Sequence, residues 1–483
     1  KIQTPESVSL KKAEIECKSD WYQIGSDIVP TWSDPAGTGD DFGRHISCSH
    51  DGTRVLISGY TWNTSTGRNT VWDWDGVAWV QVGNFIDGVS HVSGQEPRCG
   101  RIHGMSGDGN IIAIASPYEE IDGSLQLGAV RVYYLSGATW TLLPDSGSLT
   151  KSSGDGAGGF VGTQVESFLG LGSVELSYDG TTLAINEFGY DITGKNDAGA
   201  TQFVGDTADS HFGNGLNMSE DGDHLAIGTT DAGHFVEVYK WGGSAWGIKG
   251  ARINYPGSGT DGFGSQVCLS NDGNILSISA YNADIAEGAQ SDNTGLVYMY
   301  HYDSTASPQW VLHTTLKNPD HQGDDDFGSK VQLSGDGKKL LVAVANWPDG
   351  ADQGILYMYH YHNNVWSLQL PIEKHSAAGV GPGHYLGYAY ERGKSANLSR
   401  DGNVIFGGEL GFNSGAGRAR VWISPGNIKN IWGSNDNKNW TRITTTPTRE
   451  EATSNVAGVA FGYDNHVEFK NLDNPNYYKY HAI

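Results

Sequence analysis

One four-residue signal, Ser-x-Asp-Gly, recurs seven times along the chain: Ser49–Gly52, Ser106–Gly109, Ser177–Gly180, Ser219–Gly222, Ser270–Gly273, Ser334–Gly337 and Ser399–Gly402. A signal held at one place in a longer repeated unit marks an architecture of stacked copies, none of which buries its apolar surface alone. The Asp accepts backbone hydrogen bonds and the Gly takes positive φ, which is the chemistry of a tight hairpin turn. Its presence in every copy favours a structural turn over a row of catalytic Ser and Asp.

The sixth copy gives the clearest unit. Val331-Gln332-Leu333-Ser334 alternates as a half-buried strand, and Leu340–Val344 after the turn is apolar on both faces, as inside a packed sheet. Ile355–Tyr359 is an aromatic-rich third strand, and Trp366-Ser367-Leu368 opens a fourth. Other copies repeat the meander with Trp79, Trp140, Trp246 and Trp310 starting the fourth strand, whereas the third copy has a short Gly199–Val204 stretch and no such Trp. Seven four-stranded units without helical periodicity leave a β-propeller or an open stack of sheets.

The ends favour the propeller. The seventh unit reaches Arg420–Ile423 with no Trp strand after it, while Trp21-Tyr22-Gln23-Ile24-Gly25 near the N-terminus resembles Trp79-Val80-Gln81-Val82-Gly83. A displaced outer strand at the far end pairs the first and last units and removes open edges. The expected fold is therefore all-β: a seven-bladed β-propeller of four-stranded antiparallel blades over 21–425, closed by the N-terminal strand. Residues 1–20 form an N-terminal extension, and 426–483 a short C-terminal β segment.

The chain has 483 residues, a formal charge of −24, 68 Gly and 15 Pro. Such an acidic balance opposes nucleic-acid or anionic-membrane binding, both of which need a basic footprint. No apolar run is long enough for a membrane-spanning helix. The first residue is Lys and no signal peptide is visible, so a processed product or a piece of a longer polypeptide is expected. Cys48 and Cys268 fall in repeat strands as small buried residues; Cys17 and Cys99 lie outside the pattern and are candidates for a disulfide. Sequons stand at Asn63, Asn217, Asn397 and Asn439. Asn217 and Asn397 share one place in their units, on the face opposite the apolar one; if that face lines a central channel, Asn63 and Asn439 are the better acceptors.

Phe-Gly, then Val-x-Leu-Ser-x-Asp-Gly, Leu-x-Ile, Gly-x-Val-x-Val-Tyr and Trp together resemble FG-GAP-type β-propeller repeats, the Phe-Gly pair standing at Phe42-Gly43, Phe212-Gly213, Phe263-Gly264 and Phe327-Gly328. The resemblance implies adhesion, recognition or assembly rather than catalysis. It also implies calcium, which integrin-like members hold in Asp-x-Asp-x-Asp-Gly loops. That full loop is absent, leaving Asp40, Asp41, Asp261 and Asp324, Asp325 and Asp326 as candidate ligands. Ile431-Trp432-Gly433 through Trp440-Thr441, with Val467–Phe469 and Tyr477–Tyr480, is similar to strands of discoidin-like β-sandwich domains. The remaining length is too short for a whole sandwich, so either a small appended sheet or, as the favoured expectation, continuation past Ile483 follows.

Nucleophile and metalloprotease motifs are missing, and Gly393-Lys394-Ser395 lacks the first glycine of a phosphate loop. Trp32, Trp62 and Trp347 lie in loops outside the repeat register and are candidates for a ligand or partner surface. The expected function is a non-catalytic, extracellular or surface-exposed structural propeller that assembles with other protein subunits in a filament, appendage or virion surface. A carbohydrate- or protein-binding adhesin is the alternative, with glycans as ligands; a propeller hydrolase using paired carboxylates is the third reading.

Overall fold

Each Ser-x-Asp-Gly segment closes the hairpin between the first two strands of a sheet. In all seven copies the Ser hydroxyl donates to the Asp carboxylate at 2.6–2.9 Å. It also accepts the N–H that opens the second strand, at 2.8–3.1 Å. The Gly sits at φ between +63° and +75°, and its N–H bonds back to the Ser carbonyl. The Ser side chains are buried, so Ser and Asp together satisfy polar groups that would otherwise be stranded.

The computed structural model describes residues 21–35, 39–89, 96–121, 126–143, 159–161, 168–187, 212–229, 234–257, 261–284, 293–320, 325–346, 353–369, 386–387, 394–424, 431–434, 441–444, 456–461, 466–471 and 478–482. Sheet one comprises Ile46–Cys48, Arg54–Gly59, Arg68–Trp74 and Trp79–Asp87. Sheet two comprises His103–Met105, Ile111–Ser116 and Ala129–Ser136, with Thr139–Leu142 and Gly159–Val161 both on the last of these. Sheet three shows Leu169–Leu176 and Leu183–Glu187 among the described residues; the stretch of this copy that departs from the pattern, Gly199–Val204, lies outside them. Sheet four holds Gly215–Met218, His224–Gly228 and Phe235–Trp241, flanked by Trp246–Ile248 and Ile253–Asn254. Sheet five is Val267–Leu269, Ile275–Ala280, Leu296–Tyr302 and Trp310–Lys317; sheet six is Phe327–Leu333, Lys339–Val344, Ile355–His362 and Val365–Leu368. Sheet seven holds Ala396–Leu398, Val404–Glu409 and Arg418–Ile423, with Tyr22–Gln23 as its outermost strand.

Repeated antiparallel meanders of this kind make a β-propeller. The N-terminal segment continues beside sheet seven: Ile24 N–H donates to Val421 O at 2.9 Å, and Ile28 and Ala419 exchange backbone bonds at 2.8 and 2.9 Å. The first strand of each sheet touches that of the next, and the first strand of sheet seven touches that of sheet one.

The core lies between neighbouring sheets. One cluster joins Val297 and Met299 of sheet five to Phe327, Val331 and Tyr357 of sheet six, and another joins Val55 and Ile57 of sheet one to Phe406 and Val421 of sheet seven. Phe212 is half-buried. In the other three Phe-Gly pairs the Phe is the wedge: Phe42, Phe263 and Phe327 are fully buried, each contributing on the order of 2–3 kcal/mol by burial. Its Gly has φ near +92°, and a Cβ on Gly264 would come within 2.7 Å of the Thr229 carbonyl, so no other residue fits there. On the outside, Trp140 Nε1 donates to Val82 O at 3.1 Å and Trp310 Nε1 to Lys249 O at 2.8 Å, each reaching the preceding sheet. Gly83 and Gly250 make room for these two rings, and Gly25 does the same for Trp79. The N-terminal segment thus holds toward sheet one the relation that the outer segments of sheets one and four hold toward sheets two and five.

The chain divides into a compact unit Gln23–Trp422 and a second made of Lys1–Tyr22 and Ile423–Ile483. The second contains a five-stranded sheet in the order Thr441–Thr444, Ile431–Ser434, Tyr478–Ala482, His466–Asn471, Val456–Phe461, with every neighbouring pair antiparallel.

The turn chemistry sets a test. Replacing Ser270 by Ala removes a hydroxyl that bridges Asp272 and the Ile275 N–H; urea unfolding of the variant should show a loss of about 1–3 kcal/mol. The same change at exposed Ser304 should be nearly silent.

Candidate functional site: the propeller axis

The variable residue of each Ser-x-Asp-Gly turn lies near the axis. These are His50, Gly107, Tyr178, Glu220, Asn271, Gly335 and Arg400, and their backbones are linked in succession. His50 N–H donates to Gly107 O (2.8 Å), Asp108 N–H to Tyr178 O (3.1 Å) and Tyr178 N–H to Glu220 O (2.6 Å). Asn271 N–H donates to Gly335 O (2.7 Å), Gly335 N–H to Arg400 O (2.6 Å) and Asp401 N–H to His50 O (3.2 Å). Between the fourth and fifth turns the link is made by side chains, Asn271 Nδ2 donating to Glu220, whose other oxygen pairs with His50 Nδ1. The hydrogen bond to Glu220 raises the His50 pKa. Burial alone would raise Glu220, but His50, Arg400 and Asn271 together bring it below its ordinary value.

Arg400 extends from sheet seven across the axis. Its Nη2 donates to Met218 O at 2.9 Å and its Nη1 to Leu269 O at 3.0 Å and Leu333 O at 3.5 Å, so one guanidinium ties sheets four, five and six. Five donors in a fixed fork make Arg suited to this bridging.

Deeper in, every second residue of the first strands faces the axis, because side chains alternate across a strand. This face carries Ser47, Glu175, Asn217, Gln332 and Asn397 at one level, with His45 and Lys330 beyond them. Lys394 Nζ crosses from sheet seven to sheet three, donating to Ser173 Oγ at 2.6 Å and Glu175 Oε1 at 3.1 Å. His103 lies edge-on to His45 with centroids 4.1 Å apart, and its backbone N–H donates to His45 Nδ1 at 3.0 Å. Burial, with the cationic neighbours Lys394 and Lys330 adding to it, holds His45 well below the ordinary imidazole range. Burial likewise brings His103 down to about 3. Lys330 is buried, has no hydrogen bond or ion pair among the described residues, and is lowered to about 7, first by burial and then by Lys394. About 80 Å³ of space remains between these groups. That holds several waters but falls well under the roughly 300 Å³ of an ordinary small-molecule pocket.

The residues singled out from sequence are placed elsewhere. Asn217 Oδ1 accepts from Leu269 N–H at 2.9 Å and Asn397 Nδ2 donates to Ile46 O at 3.1 Å. Both line the axis and stitch their sheets to the next, so they are corrected from glycan acceptors to structural amides. Asn63 is half-buried, with its N–H on Asp34; Asn439 lies outside the described residues. Of the loop tryptophans, Trp32 is half-buried and Trp62 packs inward. Trp62 is buried beneath the Arg68 guanidinium, 3.7 Å from the ring centroid. Trp32 packs edge-on against Phe42 and Phe85, both at 5.5 Å. The inward turn has a physical cause: Arg68, held bidentately by Asp87 at 2.7 Å, supplies a fixed cation for the ring faces. Trp347 lies outside the described residues.

The candidate calcium ligands are dispersed among local partners. Asp41 pairs with Arg44 at 3.5 Å, Asp261 accepts from Tyr255 Oη, Asp325 from Asn318 Nδ2 at 2.8 Å and Asp326 from Asn346 Nδ2 at 2.7 Å. Asp40 is buried and raised to about 6, first by burial and then by Asp34. Asp324 lies outside the described residues. Among the described residues no three His, Cys, Asp or Glu side chains group as a metal site. Cys99 is a free buried thiol, raised to about 11 by burial, and its expected partner Cys17 lies outside the described residues.

No protein-family model matches the chain, and no curated protein matches it. Among solved structures, the β-propeller domain of Cps50 (Swd1) from Myceliophteria thermophila aligns at 12% identity and a TM-score of 0.47, over 82% of this chain and 99% of that one. A protein of Bacteroides uniformis provisionally described as a 6-phosphogluconolactonase aligns at 13% identity and a TM-score of 0.43, over 71% and 89%.

Two substitutions probe the axis. Arg400→Ala strands three carbonyls and should cost about 2–4 kcal/mol in urea unfolding. Lys330→Met should stabilise the protein, because a buried amine without a partner is replaced by an apolar chain of similar length. The unfolded lysine holds its proton to higher pH than the folded one, so the folded state is penalised fully below pH 7 and the penalty fades as pH rises toward 10.5. The Tm advantage of the variant over the parent should therefore be largest at or below pH 7 and shrink at pH 10.

Proposed function

We propose that the seven sheets form one closed ring, in the manner of FG-GAP-type repeats, and that the ring is a non-catalytic structural module of an extracellular or virion-surface assembly. The C-terminal sheet belongs, on this reading, to a discoidin-like β-sandwich. The linked turns, the neighbouring first strands and the N-terminal strand beside sheet seven support closure.

A row of exposed apolar side chains on the outer strands carries the assembly reading. Val80 on sheet one, Ile248 on sheet four, Val311 and Leu312 on sheet five, and Val365 and Leu368 on sheet six are all at least 40% exposed. On sheets one, five and six these strands are the outermost of the sheet, so they combine unpaired backbone edges with apolar side chains. Such edges are sites of lateral pairing unless they are covered. The acidic balance opposes nonspecific clustering, which favours a specific neighbour over aggregation. The adhesive alternative drew on three loop tryptophans; two of them pack inward, and it has no observation of its own.

Light scattering of the full chain over a concentration series tests the proposal. Oligomers are expected for the parent, and Leu312→Asp combined with Val365→Asp should return the chain to monomer without loss of Tm. A parent that stays monomeric throughout overturns the assembly role.

A further inference from the structure

At the axis one buried donor lacks an acceptor, and a lysine lining the same cavity has no hydrogen-bond partner among the described residues. His45 is 1% exposed and its Nε2 has no hydrogen-bond partner. The His103 N–H that donates to His45 Nδ1 fixes the tautomer: Nδ1 is the acceptor, so in the neutral ring Nε2 carries the proton. Lys330, 4% exposed, brings up to three more donors to the same cavity and has no partner among the described residues. The two carboxylates of the cavity bond other groups and neither bonds Lys330 or His45. Glu175 holds Lys394, and Glu220 holds His50 and Asn271. Buried donors without acceptors cost roughly 1–3 kcal/mol each, and the common remedy is a ligand or water that accepts from them.

We propose that the axial cavity binds one small inorganic oxyanion, of the phosphate or sulfate class, between Lys330 Nζ and His45 Nε2, with Lys394 supplying a second positive charge at longer range. The facing residues discriminate by charge. Lys330, Lys394 and Arg400 outnumber Glu175 and Glu220, so the axis is a positive interior within a chain of net charge −24. A cation would meet two donor groups and a surplus of positive charge. Water would satisfy the donors without adding negative charge, whereas an oxyanion does both. The remaining space excludes a nucleotide or a sugar phosphate and admits a single tetrahedral ion. Through the linked first strands, an anion at this level would act as a central pin between sheets one, six and seven.

Binding is coupled to protonation. The groups facing Lys330 are Lys394, Arg400, Glu175, Cys268 and His45. With the amine titrating near 7 in the empty cavity, anion binding takes up a proton above that pH, so affinity weakens by about tenfold for each further pH unit. This inference stands apart from the assembly role: a monomeric chain with a filled axis, or an oligomer with an empty one, separates the two.

Isothermal titration of the full chain with sodium sulfate and with phosphate, in chloride buffer at pH 6.5, tests the site. One ion per chain is expected, with an affinity at least about tenfold weaker in Lys330→Gln and in His45→Phe and weaker in the parent at pH 8.5. Absence of saturable binding, or equal affinity in parent and both variants, overturns the proposal. Should either variant fail to fold, crystals of the parent soaked in selenate give an independent reading. An anomalous peak within hydrogen-bond distance of Lys330 Nζ and His45 Nε2 supports the site, and no peak there overturns it.

Discussion

A single hydroxyl, repeated seven times, determines how this molecule is put together. In each turn the Ser side chain donates to its Asp and accepts the N–H of the next strand, so both partners are used and the hairpin has one geometry. With that geometry held constant, the residue between Ser and Asp is delivered to the axis in every copy. Arg400 can therefore reach three carbonyls on three other sheets, and the turns bond to one another in sequence. Loops elsewhere vary in length because nothing in this arrangement depends on them.

The axis concentrates cations in a strongly acidic protein. Arg400 and Lys394 are engaged, one by carbonyls and one by Ser173 and Glu175, and act as ties between sheets. Lys330 differs. It is buried beside another ammonium and the neutral His45, where an apolar residue of the same size would be more stable. Positions that oppose folding in an otherwise consistent framework are where function is to be sought. The same contrast separates the outer strands, whose apolar side chains face away from the core.

The repeat was readable because its chemistry is local. Ser, Asp and Gly act within four residues, and the alternation Val331-Gln332-Leu333 already separates a core face from a polar one. The place of Asn217 and Asn397 on that polar face was readable too, with the consequence that a channel there leaves no room for glycans. Lys330 and His45 lie two residues further along the same face, and extending the alternation would have found them. The packing of Trp32 and Trp62 was not readable, because a loop tryptophan gives no sign of whether an arginine such as Arg68 waits above it. The acidic candidates fared similarly: Asn318, Asn346 and Tyr255, which hold Asp325, Asp326 and Asp261, are not marked as their partners by any motif.

By itself, then, the sequence determined the repeating strand meander, its turns and the kinship of Trp21–Gly25 with the outer strands, all of which follow from patterns within short stretches of the chain. Only the tertiary structure decided which polar groups converge. His45 and Lys330, or Lys394 and Glu175, are separated by more than two hundred residues and meet because stacked sheets bring one face of every first strand to a common line. Convergence of that kind depends on how the copies are arranged around one another, and no single copy encodes it.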